Sequence, residues 1–203
     1  MSAFDLSPAE RAAAADHVKR ATAEAANAGL PAGTAQRALR RAAVIGAGTI
    51  GHLAARVLAL RGHHVTVIDQ TPERLALLNG AVETSTSMDD IGTFEWVVEA
   101  TGQQAVLSTL LERSSTGATL LLLGLPYSAE TFSFESIVAY DRSVLGSVGS
   151  NGADFDEALA TLPHIDTSPF LGAAYPLAEF EQAWSMVRSR RRLKVMIKAD
   201  AAV

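Results

Sequence analysis

From residue 42 onward, short runs of aliphatic and β-branched residues alternate with stretches in which apolar residues recur at helical spacing. Such runs are typical of buried strands, and the helical spacing indicates amphipathic helices that cover a sheet. The alternation therefore predicts βαβ units, a parallel sheet and right-handed crossovers. The predicted strands are Ala42–Gly46, His64–Asp69, Trp96–Ala100, Ala118–Leu123 and Arg142–Gly146, and the predicted helices between them are Ile50–Leu60, Pro72–Leu78 and Gln104–Leu111.

Further elements are predicted on both sides of this core. Ser7, Pro8 and Glu10 form a capping pattern that begins a helix, and Gly29 ends it. After residue 150, the predicted elements are the helices Ala153–Leu162 and Leu177–Arg188, a short strand near Leu171–Tyr175 and a terminal strand at Leu193–Lys198. The predicted fold class is α/β, a doubly wound parallel sheet with an N-terminal helical extension and a short C-terminal α/β appendage. Its three parts are residues 1–41, 42–170 and 171–203.

Composition narrows the possible partners. The 203 residues are 48% hydrophobic, which suits one substantial core. The net charge of −5 repels nucleic-acid backbones and anionic membrane surfaces, so neither is an expected partner. The sequence shows neither a secretion signal nor an apolar stretch of the ~18 residues that a membrane span needs, so we expect a cytoplasmic protein. Cysteine is absent, which excludes disulfides and any zinc site that needs sulfur.

A glycine motif follows the first predicted strand, where the chain reads Gly46-Ala47-Gly48-Thr49-Ile50-Gly51. Three glycines at these spacings are weak evidence alone, but here a buried strand precedes them and a helix follows. Gly46 permits the tight turn, Gly48 lets the backbone approach a pyrophosphate, and Gly51 allows the helix to pack closely on the strand. The helix N-terminus then faces the phosphates with free N–H groups.

An acid at the end of the second strand supports the same interpretation. Asp69 closes the run His64–Ile68 and lies 18 residues after Gly51, where a dinucleotide site needs a carboxylate to accept from the adenosine ribose hydroxyls. Gln70 follows it and is counted with the cofactor contacts. Because a carboxylate at this place repels a 2′-phosphate, we expect NAD(H) to be preferred over NADP(H). Arg74 is the nearby cation that could favour the 2′-phosphate of NADP(H), but we interpret it as a surface residue of the following helix.

Four longer segments carry a family resemblance. Their ranges are Val97–Gly102, Gly117–Pro126, Arg142–Gly149 and Tyr175–Trp184. In register, they are similar to the fourth strand, the fifth strand and its turn, the sixth strand, and the following junction and helix of one family. With the glycine motif, they make roughly residues 42 to 198 resemble the cofactor domain of the medium-chain dehydrogenases, the zinc alcohol and polyol dehydrogenase group, which has a Rossmann fold.

The resemblance implies further site residues. Ile50 would pack behind the nicotinamide ring, and Thr101 and Gly102 would line the cofactor cleft. The residues that would flank the nicotinamide and hold its carboxamide are Gly124, Leu125, Pro126, Ser147 and Val148. The family also dimerises by pairing sixth strands edge to edge, so the resemblance implies a homodimer through Arg142–Val148.

The chain departs from the family in one large respect. Family members place a catalytic domain of about half the chain before the cofactor domain, with a cysteine, a histidine and an acid on zinc. Here only some forty residues precede the first predicted strand, and no cysteine is present. We therefore expect the catalytic domain to be missing and the zinc mechanism not to apply.

Hydride transfer also needs a group that exchanges the alcohol proton, and two residues are candidates. His52 follows the last motif glycine and titrates in a useful range, although it could equally pack in the helix or face water. Tyr127 follows the Gly-Leu-Pro turn, where the family's substrate cleft begins, or it is an ordinary loop aromatic. The basic run Arg188–Lys194 falls at a predicted helix end, and we interpret it as solvated, with an anionic substrate as the alternative.

Three functions remain open from the sequence. The first is an NAD(H)-dependent, zinc-independent oxidoreductase that acts on a small alcohol or carbonyl substrate. The second keeps NAD bound and recycles it during an epimerisation, elimination or cyclisation, so it would release no stoichiometric NADH. The third is a non-catalytic NAD(H)-binding subunit or sensor, which would have an open nicotinamide face without a nearby proton donor.

Overall fold

The computed structural model describes residues 40–125, 131 and 133–199. The predicted N-terminal helix, most of the linker that follows it, Pro126 and Tyr127 lie outside these residues. Within the described ranges, no helix is both long enough and apolar enough to cross a bilayer.

Six parallel strands form the main sheet, in the order β3-β2-β1-β4-β5-β6. Their bounds are β1 Arg41–Ile45, β2 His64–Ile68, β3 Glu83–Ser85, β4 Trp96–Glu99, β5 Thr119–Leu122 and β6 Ser143–Gly146. This order is that of the doubly wound fold. The chain adds β2 and β3 on one side of β1, then returns and adds β4, β5 and β6 on the other side, so the strand order reverses between β1 and β4. The predicted fold class is therefore confirmed, and each of the five predicted strands is present with bounds within one residue of those expected.

Helices cover both faces of the sheet. Their bounds are α1 Thr49–Leu60, α2 Pro72–Ala76, α3 Gln104–Arg113, α4 Glu135–Val138, α5 Gly152–Thr161 and α6 Phe180–Ser189. Side chains of β1 alternate between two cores: Val44 packs with Ala55 of α1, whereas Ile45 packs with Leu110 of α3. Because successive strand residues point to opposite faces, the run of buried residues in β1 serves both layers at once.

The C-terminal appendage has the predicted strand-helix-strand order. β7 covers Ala174–Pro176 and pairs in parallel with β8, Met196–Lys198. Between them, a short 3₁₀ turn at Leu177–Glu179 leads into α6, so the predicted helix begins as a tighter turn. α6 ends at Arg190, whose φ of 56° lies in the left-handed region. This conformation turns the chain back towards the main sheet.

Arg142 precedes β6 and has a different environment from the exposed edge that the resemblance implies. It is 6% exposed, and its guanidinium donates to the carbonyl oxygens of Leu111, Ser114, Ser115 and Ser136. These acceptors lie at the end of α3, in the loop after it and in α4, so a cation here satisfies helix C-terminal carbonyls. The open edge itself is the strand Ser143–Gly146.

Candidate functional site

The predicted site segments meet at the carboxyl ends of the strands. Backbone hydrogen bonds continue one step beyond the strands there: Gly46 N donates to Ile68 O at 2.8 Å, Leu123 N to Glu99 O at 2.8 Å, and Ser147 N to Leu122 O at 3.2 Å. The ends of β1, β2, β4, β5 and β6 are therefore level. Ligands of doubly wound folds bind at this edge, next to the point where the strand order reverses.

The residues Gly46–Gly51, which we call the glycine turn, are tightly packed at two of the three motif glycines. Gly46 has φ of 102°, and a Cβ there would lie 2.8 Å from Thr101 Cγ2. A Cβ on Gly51 would lie 1.8 Å from the carbonyl oxygen of Gly46. No described atom lies within 4 Å of a Cβ built on Gly48, so that side of the turn is open. The first and last glycines thus shape the turn, and the middle one leaves room for a ligand.

Helix α1 begins in this turn and presents its N-terminus to the open side. Gly48 is its N-cap, and among the described residues no side chain caps it and no acid occupies its first turn. The first N–H groups of a helix have no intrahelical acceptor, and they attract anions. The Thr49 hydroxyl donates to the carbonyl oxygen of Leu193, and Ile50 is 50% exposed. An anion could therefore reach these N–H groups without displacing a carboxylate.

A pocket of about 380 Å³ lies at this helix end and is lined by cations. The polar groups around it are those of Gly48, Thr49, Arg74, Arg190, Arg192 and Lys194. Arg74 is only partly exposed, and its guanidinium donates to the carbonyl oxygen of Arg190 at 3.1 Å. The cations of the basic run are exposed, as a solvated helix end predicts, but the tertiary fold also brings Arg190, Arg192 and Lys194 to the glycine turn. Arg74, interpreted as a surface residue, is only partly exposed and lies at the same pocket.

Asp69 lies directly beside the glycine turn, as its position after β2 predicts. One carboxylate oxygen accepts from Ala47 N at 2.7 Å, and the other accepts from Thr71 N at 2.8 Å. The side chain is 11% exposed, and Arg74 Nη1 lies 3.9 Å from Oδ2. Each carboxylate oxygen can accept a second hydrogen bond, so these contacts fix the carboxylate and still leave it able to accept from a ligand. Gln70 is exposed next to it.

His52 lies on the inner side of α1, away from the open side of the turn. Its ring is fully buried, with Nε2 3.0 Å from the carbonyl oxygen of Arg74 and Phe170 edge-on at 6.1 Å. Burial, together with the nearby charges of Arg56 and Arg74, lowers the pKa of His52 below 6.5. Because the ring has no edge open to a substrate, the structure does not support an acid/base role for it and shows a packing role instead.

A second carboxylate, Glu99, ends β4 and was not predicted as a site residue. It is 3% exposed and accepts from Thr101 N at 2.7 Å, from the Thr101 hydroxyl and from Gly102 N at 3.1 Å. Gly124 touches the same group, because a Cβ there would lie 2.4 Å from Glu99 Oε2. We call Glu99, Thr101, Gly102, Gly124 and Leu125 the Glu99 block.

The last predicted contacts, Ser147 and Val148, lie just beyond β6. Ser147 is exposed, and Val148 is 92% exposed. They share the carboxyl edge with the glycine turn and the Glu99 block, but β5 separates β6 from β4. Tyr127 and Pro126 lie outside the described residues, so the structure leaves their roles as predictions.

Zinc does not fit the part of the chain that the structure covers. Across residues 40–125, 131 and 133–199, no group of three or more His, Cys, Asp or Glu side chains could hold a metal ion. The sequence also contains no cysteine for a thiolate ligand.

Comparisons with known proteins agree with this geometry. A family model described as glucose dehydrogenase C-terminus matches residues 16–198. The L-threonine 3-dehydrogenase of Cutibacterium acnes is 28% identical over 170 residues, which are 76% of this chain and 49% of that protein. The glucose 1-dehydrogenase of Thermoproteus tenax is 29% identical over 178 residues, which are 79% of this chain and 51% of that protein.

A solved structure shows the same fold. The glucose dehydrogenase of Haloferax mediterranei, in complex with NADP, Zn and gluconolactone, superposes with a TM-score of 0.64 at 17% identity. The match covers 83% of this chain and 52% of that one. The chain spans about half the length of the curated relatives it matches.

Proposed function

Because the chain belongs to the glucose dehydrogenase C-terminus family, the cofactor-binding domain of the medium-chain dehydrogenases, we propose that it binds NAD(H) for an oxidoreductase. The observation that carries the proposal is the uncapped N-terminus of α1, which opens into a cation-lined pocket at the glycine turn. The substrate in this proposal is a small alcohol or carbonyl compound.

The pyrophosphate would occupy the open side of the glycine turn. Backbone N–H groups at the start of α1 donate to anions, and the helix dipole adds attraction there. Arg190, Arg192 and Lys194 line the same pocket and supply positive charge. Both kinds of group form charge-assisted hydrogen bonds with a diphosphate, which are stronger and shorter than neutral ones.

We propose a preference for NAD(H) over NADP(H), and Asp69 supports it. Its carboxylate is held by two backbone N–H groups, so it cannot turn away from an arriving 2′-phosphate. Arg74 lies 3.9 Å from that carboxylate and partly compensates its charge, so the expected preference is moderate. The fold alone does not imply NAD(H), since the Haloferax mediterranei enzyme of the same fold was solved with NADP.

Bound NAD(H) supplies the hydride acceptor or donor, and the protein's own groups position it. The Glu99 block, Ser147 and Val148 lie on the carboxyl edge where the nicotinamide half would extend from the glycine turn. Tyr127 remains our proposed proton donor, and His52 is not proposed, because its ring is buried. We propose that the domain works without a zinc of its own.

We also propose that two copies pair through the open edge of β6. β6 is the last strand of the sheet, and its outer N–H and C=O groups lack a neighbouring strand among the described residues. Pairing two such edges around a two-fold axis would satisfy these groups. Sedimentation at increasing protein concentration tests this proposal, and a monomer at all concentrations would contradict it.

Calorimetric titration of the 203-residue chain with NADH tests the main proposal. Lys194→Ala should weaken NADH binding about tenfold by removing one charge-assisted contact to phosphate. Lys198→Ala, an exposed lysine of β8 outside the pocket, is the matched control and should leave the affinity unchanged. Absence of saturable binding to the unsubstituted chain, or equal losses in both variants, would contradict the proposal.

A further inference from the structure

Glu99 is a buried carboxylate whose charge is satisfied entirely by its own loop. Its donors are the Thr101 N–H, the Thr101 hydroxyl and the Gly102 N–H. Within the described residues it forms no ion pair with a lysine, arginine or histidine. A carboxylate held by several donors in this way fixes the loop that supplies them, because each broken contact leaves a buried charge less well solvated.

The same carboxylate sets the distance between two loops. A Cβ on Gly124 would lie 2.1 Å from Gly102 N and 2.4 Å from Glu99 Oε2, so the β5 loop contacts the carboxylate and its donors directly. A Cβ on Gly102 would lie 3.0 Å from the carbonyl oxygen of Leu125. The loops after β4 and β5 therefore pack backbone against backbone around one side chain.

The Glu99 block also contacts the glycine turn. Thr101 Cγ2 lies 2.8 Å from the position of a Cβ on Gly46, and Ala100 N donates to Ile45 O at 2.9 Å. The Thr101 oxygen in turn accepts from Gln103 N at 3.0 Å, where α3 begins. Glu99 therefore holds Thr101 between the turn that would receive the phosphates and the loops that would flank the nicotinamide.

From this geometry we infer that Glu99 is a positioning residue for the nicotinamide half of the dinucleotide. The inference rests on the proposed function and names a residue that the glycine motif does not include. Glu99 need not touch the cofactor; it fixes the Thr101–Gly102 and Gly124–Leu125 backbones at one separation. A preformed cleft binds its ligand without the entropic cost of ordering these loops. Because the loops would flank only the nicotinamide, we expect the gain in affinity to apply to the nicotinamide half and not to the rest of the dinucleotide.

Two ligands separate this role from a general structural one. NADH and ADP-ribose share the adenosine and the pyrophosphate, but only NADH carries the nicotinamide. Glu99→Gln keeps the side-chain shape, but it removes the negative charge and replaces one carboxylate oxygen with an NH₂ group that cannot accept from Gly102 N. We expect it to weaken NADH binding about tenfold while ADP-ribose binding changes less than about twofold. Glu112→Gln, on the exposed face of α3, is the control and should change neither affinity.

A milder variant keeps the test decisive if Glu99→Gln fails to fold, which circular dichroism would reveal. Thr101→Val keeps the side-chain shape but removes one donor to Glu99 and the acceptor of Gln103 N. It should weaken NADH about threefold and ADP-ribose not at all. Equal losses for both ligands, or no loss for NADH, in the folded variant would overturn the inference. A native chain that binds neither ligand would instead refute the proposed function.

Discussion

The glycine turn and the Glu99 block both carry a carboxylate at the end of a strand, but the two carboxylates are held differently. Asp69 accepts from two loops, with Ala47 N on the neighbouring turn and Thr71 N on its own, and a cation lies 3.9 Å away. Glu99 accepts only from its own loop and is more deeply buried. Asp69 is partly exposed beside the glycine turn, whereas Glu99 is closed within the protein.

The difference shows that position at the carboxyl edge does not decide what an acid does. Asp69 is partly exposed, and each of its oxygens can accept a further hydrogen bond, so it can contact a ligand. Glu99 has its oxygens directed at backbone donors and Gly124, so its effect on a ligand is indirect. We therefore expect substitutions at the glycine turn to change affinity more than stability, and substitutions in the Glu99 block to change stability as well.

Gly124→Ala should have the largest effect. The new methyl would meet Gly102 N at 2.1 Å and Glu99 Oε2 at 2.4 Å, so the backbone of one loop must move. Overpacking of this kind costs about 3 kcal/mol of the free energy of unfolding. Urea denaturation of the variant and the native chain measures it.

Gly48→Ala is the matched control for that substitution. No described atom lies within 4 Å of the added methyl, and φ of −83° suits any residue, so the free energy of unfolding should fall by less than about 1 kcal/mol. Equal losses of stability in Gly48→Ala and Gly124→Ala would remove the distinction between the open and the closed region.

Asp69→Ala should have an intermediate effect, chiefly on the cofactor. It removes the carboxylate that would accept from the ribose hydroxyls, so NADH should bind about tenfold more weakly. The affinity for NADPH should fall less, because the repulsion of its 2′-phosphate disappears at the same time. The preference for NADH over NADPH should therefore decrease. Titration with both cofactors measures this. Asp89→Ala, whose side chain is 83% exposed, is the control, and an unchanged affinity and preference in Asp69→Ala would refute the site assignment.

The smallest effect is expected from pH. Burial lowers the pKa of His52 below 6.5, so the unfolded chain binds a proton more readily than the folded one. The contribution of neutral His52 to the free energy of unfolding is therefore complete above pH 6.5, and it is lost as the pH falls towards the pKa of the folded state. Arg56 and Arg74 next to the ring oppose its protonation further, whereas Asp69 favours it.

Unfolding at about pH 7.5 and about pH 5.5 measures this contribution. The native chain should lose more stability over that interval than His52→Gln, which cannot be protonated. His164→Gln, at an exposed position, should behave like the native chain. Parallel losses in the native chain and in His52→Gln would show that the ring does not titrate in this way.

Local patterns predicted most of the sheet. β1, β2, β4, β5 and β6 contain runs of aliphatic residues, so their ends could be predicted to within one residue. β3 was missed because Glu83, Thr84 and Ser85 form an exposed polar edge strand without an apolar run. A short strand of this kind is defined by pairing with β2, which the sequence pattern does not display.

The candidate site was predictable where its groups are close in sequence. Gly46, Gly51 and Asp69 follow strands at characteristic spacings, and the structure places them together. The basic wall of the pocket was not predictable in this way, because Leu193 meets Thr49 only through the tertiary fold. Glu99 lies within the segment Val97–Gly102 that carries the family resemblance, but its role depends on Gly124 in the loop after β5, which the segment does not contain.

The contact between the Thr49 hydroxyl and the Leu193 carbonyl has a consequence for biosynthesis. The glycine turn emerges from the ribosome before the cations of the pocket wall, which are translated some 140 residues later. A nascent chain that has folded its first strands therefore has the amide half of the anion site without the cationic half. Tight capture of the dinucleotide should begin only after Lys194 has been released, so the cofactor would stabilise the finished domain rather than its folding intermediates.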